Sequence, residues 1–309
     1  MRIVYMGTPD FAVNPLKALI EKGYDVVGVF TQPDKPVGRK AILTAPPVKV
    51  VAQEAGIPVF QPDSLKNGEG VKILSELNPD IVVVVAYGKI LPEDFLDYPE
   101  YGCINIHGSI LPKYRGAAPI QRSVLDGEKY AGVTSMQMDV GLDTGDMLLV
   151  EKTKIGENET SGELFDRLAV MGADLLIKTL DSIEKGEVNP VKQNDSESTY
   201  AAMLDKTMSP VDWSKSASEV HNQIRGLDPW PVAQTVLEGK NLKLFKSEIL
   251  ESEDRGKPGE AKTVKKGLIV FCGDGKAVFI NEVQYEGKKR MKAADFFRGH
   301  PIADGTILG

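Results

Sequence analysis

Short β-branched runs alternate with amphipathic stretches along the first half of the chain. Arg2 to Gly7 and Asp25 to Thr31 read as strands, and Pro9 to Lys22 between them has a helical pattern, so the chain opens on a βαβ unit. The alternation continues through a helix from Pro47 to Ala55, a short strand from Pro58 to Phe60 and a helix near Glu69 to Leu77. The run Ile81 to Ala86 is apolar at every position, as expected of a central parallel strand covered on both faces. Strands follow at Gly102 to Ile106, Gly132 to Met138 and Met147 to Thr153, and a long helix starts at Thr160, where Thr160 and Glu163 can form a capping box.

From Glu187 to Thr207 the composition turns polar, and QNDSEST at its centre reads as a surface linker. The pattern then changes. A second capping box, Ser216 with Glu219, starts a helix that stops at Gly226, and five strand-length runs follow near 233–237, 242–250, 261–264, 268–271 and 277–284. The expected architecture is α/β: a Rossmann-like, mostly parallel sheet with helices on both faces over residues 1–189, a linker over 190–206, and a smaller OB-like β-barrel over 207–309.

Composition sharpens this only in places. The 309 residues suffice for two cores, and no run of about eighteen apolar residues or signal-like segment appears, so a cytoplasmic protein with no membrane span is expected. Cys103 and Cys272 have no His or Cys at ligand spacing, which points to neither disulfide nor metal. Net charge is -7, but residues 207–309 hold 16 Lys and Arg against 14 Asp and Glu, so the acidity lies in the first part. The near-neutral second part can present a basic face, although a solvated charge run is the commoner meaning of KKRMK.

Polar residues gather where strands stop, and in open α/β sheets those ends form the ligand crevice. Asn105 and His107 lie two apart on an extended chain and face the same side. An amide can donate to a developing oxyanion and an imidazole can exchange a proton near neutral pH, the two roles acyl transfer to an amine requires. A satisfied structural histidine is the plain alternative. In DVGLDTGDM, Asp143 has flanking glycines that allow a path towards the strand ends, where a carboxylate favours a protonated His107; Asp139 and Asp146 compete for that role, and spacing does not choose. The first turn, MGTPDFA, lacks G-x-G-x-x-G and reads as a helix start rather than a dinucleotide site. The loop QPDKPVGRK is expected to be exposed and mobile, and on composition alone a solvated connector.

The segment NIHGSILPKYRGAAP, Asn105 to Pro119, closely resembles the signature of the folate-dependent formyltransferases. Asp143 in MQMDVGLDTGDML completes a trio similar to that family's Asn-His-Asp set, and MGTPDFA, TQPDKPVGRK, AYGKILP and IRGLDPWP narrow the resemblance to the branch acting on charged initiator tRNA. The resemblance implies transfer of a formyl group from 10-formyltetrahydrofolate to the amine of methionyl initiator tRNA with no metal needed; a monomer is expected, although the sequence itself does not report oligomeric state. Asn105 and protonated His107 are then implied to stabilise the oxyanion, and His107 or a water held by Asp143 to move the proton. Ser109, Ile110, Leu111 and Pro112 are implied to line the folate site, with Tyr87, Gly88, Ile90 and Leu91 beside them. The loop Gln32 to Val48 is implied to enter the acceptor end of the tRNA, with Arg39 as chief contact and Lys35 and Lys40 beside it. Lys40 is followed by apolar Ala41 and Ile42 where the family carries further cations, which implies fewer phosphate contacts. In the barrel, Arg225, Lys288, Lys289 and Arg290 are the implied acceptor-arm contacts. The alternatives are a formyltransferase for a small amine, such as a nucleotide or amino sugar, and a non-catalytic RNA binder.

Overall fold

Strand β1 (Arg2–Gly7) pairs in parallel with β2 (Asp25–Phe30) on one side and β6 (Ile81–Val85) on the other. The computed structural model of the protein describes residues 1–38, 40–251, 256–303 and 305–309. Two compact units emerge: Met1–Gly116 with Ala131–Thr153 and Phe165–Tyr200, and Ala117–Tyr130 with Lys154–Leu164 and Ala201–Gly309.

In the first unit β5 (Val59–Phe60) adds to β2, and β7 (Cys103–His107) to β6, all parallel. β8 (Tyr130–Gln137) runs antiparallel to β7, and β9 (Met147–Lys154) closes the edge, giving the order β9-β8-β7-β6-β1-β2-β5. The chain therefore moves outward from β1 one way and then resumes on its other side, which makes the carboxyl ends of β1 and β6 a topological switch point. Helices cover both faces, beginning with α1 (Val13–Glu21) and α2 (Pro47–Glu54). Val4, Met6, Val82 and Val84 pack with Leu74 of α3 (Glu69–Leu77) and Phe95 of α4 (Glu93–Leu96). On the opposite face Ile106 meets α6 (Ser161–Glu184) at Gly172, where an added Cβ would lie 3.1 Å from the Ile106 side chain. The Thr160–Glu163 capping box forms: the Thr160 N–H donates to Glu163 Oε2 at 2.9 Å and the Glu163 N–H to Thr160 Oγ1 at 3.2 Å.

Gln32 to Val48 holds a small antiparallel hairpin, β3 (Lys35–Val37) with β4 (Ile42–Thr44), where composition alone suggested a solvated connector. Its base is anchored. Lys49 Nζ donates to both Asp34 carboxylate oxygens, at 2.8 and 2.9 Å, and to Gln61 Oε1 at 2.8 Å.

The second unit is built on an antiparallel sheet of β10 (Gln234–Leu237), β11 (Lys240–Leu250), β12 (Glu260–Val264), β13 (Gly267–Phe271), β14 (Ala277–Tyr285), β15 (Met291–Lys292) and β16 (Thr306–Ile307). The order is β10-β11-β14-β13-β12-β16, with β15 on β14, and it curls into a partial barrel. Just beyond β16 the Gly309 N–H donates to the Val236 carbonyl of β10 at 3.2 Å, so the chain end bridges the two edges. The core includes Trp213, Val220, Ile224, Leu244, Val270 and Ile280. Two segments distant in sequence join this unit. An added Cβ on Gly226, at the end of α7 (Ala217–Gly226), would meet Leu125 of α5 (Pro119–Leu125) at 2.7 Å, which is why α5 clusters with the barrel. The Ser216–Glu219 capping box is present.

Candidate functional site

Cys103, Asn105 and His107 alternate on β7 and project from one face, with Asn105 beside Val84 near the end of β6. The Asn105 side chain is half-buried and makes no hydrogen bond among the described residues, so its amide is free to donate. His107 is only 7% exposed. Its Nε2 lies 2.9 Å from the Tyr114 carbonyl oxygen, which can only accept, so the proton sits on Nε2. The other nitrogen, Nδ1, lies 3.7 Å from Asp143 Oδ2. An imidazolium, with N–H groups on both nitrogens, matches both neighbours; a neutral ring turns a lone pair towards the carboxylate.

The three candidate carboxylates separate cleanly. Asp139 Oδ1 accepts from the Gly141 N–H at 3.0 Å and from Thr144 Oγ1 at 2.6 Å, closing the turn on itself. Asp146 has its backbone in the ladder, its carbonyl accepting from the Gln137 N–H at 2.8 Å. Asp143 alone of the three pairs with His107, and its Oδ2 is held by the Gly116 N–H at 2.8 Å. Gly145 permits this path, because a Cβ there would sit 1.7 Å from the Gln137 carbonyl oxygen.

Three non-glycine residues around these strand ends have left-handed backbone: Ala86 (φ 47°), Tyr114 (φ 61°) and Asp143 (φ 53°). Each such conformation costs on the order of 1 kcal/mol and persists only where its surroundings hold it. One of those supports was invisible in the sequence. Gln193, within the polar stretch read as a linker, donates from Nε2 to the Asp143 and Gly145 carbonyls at 2.8 and 2.7 Å. Its Oε1 accepts from Arg115 Nε and a terminal nitrogen at 3.0 and 2.8 Å. Polarity, the only signal in that stretch, does not distinguish Gln193 from its neighbours.

The segment after β7 is a rigid turn. Ser109 Oγ donates to the Lys113 carbonyl at 2.7 Å, and Thr134 Oγ1 bridges the Ser109 carbonyl at 2.7 Å and the Leu111 N–H at 3.2 Å. Leu111 is buried, whereas Ile110 and Pro112 are half-buried, with Ile110 packed over Gly132. At the end of β6, Thr8 Oγ1 and Gln32 Nε2 both donate to the Tyr87 carbonyl, at 3.0 and 3.1 Å. The Tyr87 ring is 1% exposed, and its hydroxyl is a buried polar atom without a partner among the described residues. Burial pushes that phenol up to about 12. Gly88 is exposed, Leu91 is buried, and Ile90 between them is 81% exposed, an unusual apolar side chain to leave in water.

The cations divide. Lys35 and Lys40 are exposed on the hairpin, and Arg39 lies outside the described residues. Lys288 and Lys289 are exposed. Arg290 donates from Nε to Glu282 at 2.7 Å and lies over the Phe245 ring at 3.9 Å, with Asp228 3.7 Å away. Arg225, expected to be a surface contact, is 7% exposed. It donates to Asn222 Oδ1 at 2.9 and 2.8 Å and to the Glu159 carbonyl at 3.1 Å, so it ties α7 to residues 156–159 instead of standing open at the surface. Its spacing, four residues after His221 and eight after Ala217, places it on the inward stripe of the helix.

Comparison with known proteins finds matches along both the first and the last part of the chain. Residues 1–180 match the family model "Formyl transferase" and residues 203–301 match "Formyl transferase, C-terminal domain". A methionyl-tRNA formyltransferase of Alkaliphilus metalliredigens is 53% identical over 100% of this chain and 98% of its own length. One of Bacillus velezensis is 47% identical over 100% of this chain and 98% of that protein. Among solved structures, an N-formyltransferase of Helicobacter canadensis, in complex with folinic acid and dTDP-3-aminofucose, superimposes with a TM-score of 0.71 at 22% identity, covering 92% of this chain and 98% of that one. HypX of Aquifex aeolicus with tetrahydrofolic acid gives 0.65 at 16% identity, covering 100% of this chain and 50% of that one. Both share the fold.

Proposed function

The chain belongs to the formyl transferase family, and on that premise we propose that it moves the formyl group of 10-formyltetrahydrofolate to the α-amine of methionyl initiator tRNA. The observation that carries the reading is the geometry at the end of β7: a free Asn105 amide beside a buried His107 that has one nitrogen on a carbonyl and the other on Asp143. The acceptor is argued from full-length relatives near 50% identity that bear the name methionyl-tRNA formyltransferase. Such a substrate sets the work in the cytoplasm, and no helix among the described residues is long and apolar enough to cross a membrane.

A flat folate ring needs apolar walls and a few polar partners. Leu111, Leu91 and the exposed Ile90 supply the first, and the unpartnered Tyr87 hydroxyl supports the second. The bound folate supplies an electrophilic formyl carbon. Asn105 donates through its amide to the oxygen on which negative charge develops, and a preorganised donor in a water-poor site is worth about 3 kcal/mol of barrier. As the amine–carbon bond forms and the carbon–nitrogen bond to the folate breaks, the amine loses a proton and the departing tetrahydrofolate nitrogen gains one. His107, fixed through Nε2, exchanges that proton at Nδ1, and Asp143 is the counter-charge that keeps the ring so turned. Ser109 shapes the site through its turn rather than through a free hydroxyl. For the tRNA, exposed Lys35, Lys40, Lys288 and Lys289 are the proposed phosphate contacts, with Arg39 beside Lys40.

The test is formyl transfer to methionyl initiator tRNA, with free methionine and uncharged tRNA as controls. Product from the charged tRNA alone is expected; equal turnover with free methionine would move the reading to small-amine transferases, and formate release without an amine to a hydrolase.

A further inference from the structure

We infer that Gln193 is a positioning residue for this transfer, holding the two walls of the His107 pocket in register; the inference rests on the formyl-transfer reading. His107 is bounded by two segments far apart in sequence. One is 114–116, whose Tyr114 carbonyl takes the Nε2 proton and whose Gly116 N–H grips Asp143 Oδ2 at 2.8 Å. The other is the loop 143–145, where Asp143 has a left-handed backbone at φ 53° and points its carboxylate at Nδ1.

A single side-chain amide joins them. The Gln193 NH2 group donates to the Asp143 and Gly145 carbonyls at 2.8 and 2.7 Å, and its oxygen accepts twice from the Arg115 guanidinium, at 3.0 and 2.8 Å. Arg115 is the middle residue of the 114–116 wall, and its guanidinium is further braced by Asp195 at 2.7 Å. Both donors and the acceptor of Gln193 are thus in use, and the donors go to carbonyls on the loop that carries Asp143. From Lys192 to Glu197 the chain is otherwise exposed, and Gln193 is the half-buried residue in it. Nearby, Val191 pairs with Met147 and docks this stretch onto the first unit. The polar segment therefore braces the site in addition to carrying the chain from α6 towards the second unit.

Asp143 and Tyr114 touch His107 directly, whereas Gln193 acts through them, so its loss displaces groups without removing any. Misplacement of a catalytic constellation by about 1 Å costs on the order of 10²-fold in rate. Gln193→Ala and Gln193→Glu separate its two anchoring roles. Glutamate keeps an acceptor for Arg115 but has no N–H to donate and turns oxygens towards two carbonyls.

The experiment uses the full chain, 10-formyltetrahydrofolate and methionyl initiator tRNA, with amide hydrogen exchange at Gly116 as a readout independent of activity. The expected result is a kcat lowered on the order of 10²-fold in both variants, with each KM within about twofold of wild type. Gly116 exchange is expected to quicken in both. Restoration of wild-type kcat by glutamate would overturn the inference by making Arg115 anchoring the whole role. Wild-type kcat and Gly116 protection in the alanine variant would overturn it outright. If the wild-type chain transfers no formyl group, the functional reading fails by itself, and Gly116 exchange still decides whether Gln193 holds the loop.

Discussion

The two units each bury a histidine, and the difference between them separates chemistry from packing. His107 and His221 are 7% and 3% exposed, and both have partners for both nitrogens. His221 Nδ1 meets Ser247 Oγ at 2.8 Å and Nε2 meets the Glu157 carbonyl at 2.9 Å. A hydroxyl can donate to Nδ1 while Nε2–H donates to the carbonyl, so a neutral His221 is fully satisfied. Burial accordingly holds its pKa below the ordinary histidine value, partly offset by the bond to Glu157. His107 has the same kind of carbonyl on Nε2 but a carboxylate in place of the hydroxyl, the one difference on which its proposed role as proton carrier rests.

The widest separation is expected on truncation. His107→Ala should lower turnover on the order of 10²–10⁴-fold while the chain stays folded. His221→Ala should instead cost on the order of 2–4 kcal/mol of stability through a cavity and stranded polar groups, with turnover per folded molecule kept. Steady-state kinetics beside a urea titration reads both, and the contrast collapses if the two variants lose the same quantity. Next is Asp143→Asn. The amide oxygen keeps the Gly116 N–H bond but removes the charge facing Nδ1, so a kcat loss on the order of 10²-fold is expected with little change in urea midpoint. Turnover near wild type would reduce Asp143 to a turn residue like Asp139.

How much of this contrast was legible in the sequence depends on how local each feature is. Period-two and period-3.6 patterns are local, so β1, β6, α3 and both capping boxes could be read to within a residue or two. That Asn105 and His107 share one face of one strand was legible, because a two-residue spacing does this on any extended chain. Spacing could not choose among Asp139, Asp143 and Asp146, and only the family resemblance singled out Asp143; its φ of 53° is held in part by Gln193, 50 positions away, which no local pattern specifies. The burial of Arg225 was missed for a related reason. Its partners at Gly156 and Glu159 are brought to it by tertiary packing, which a helical pattern does not specify.

A third test uses pH and carries a smaller effect. Because the folded state lowers the His221 pKa, the unfolded chain takes up a proton near pH 6.5 that the folded chain refuses, and this contribution to stability is complete above that pH and lost as pH falls below it. His221→Gln retains a donor for Glu157 and an acceptor for Ser247 but does not titrate. The drop in Tm between pH 7 and pH 5 should therefore be smaller in the variant than in wild type. Equal drops would mean that His221 protonates as readily folded as unfolded.

The smallest expected effect extends the comparison from histidines to cations. Arg225 and Lys288 both belong to the second unit and both carry a positive charge, but one guanidinium is walled in by Asn222 and the 156–159 carbonyls while the other side chain is in water. A phosphate contact releases condensed counterions, so removing one flattens the dependence of log binding constant on log salt by about one unit and weakens binding evenly across sequences. Lys288→Ala should show that change with an unaltered urea midpoint, and Lys289→Ala should behave likewise. Arg225→Ala should leave the slope as it is and lower the midpoint, since its loss is a set of internal hydrogen bonds to a charged group. A reduced salt slope for Arg225→Ala would mean that the guanidinium leaves its carbonyls when tRNA arrives. Burial would then be as poor a guide to the role of a cation as it is to that of a histidine, and in both cases the chemistry of the partner would be the thing to read.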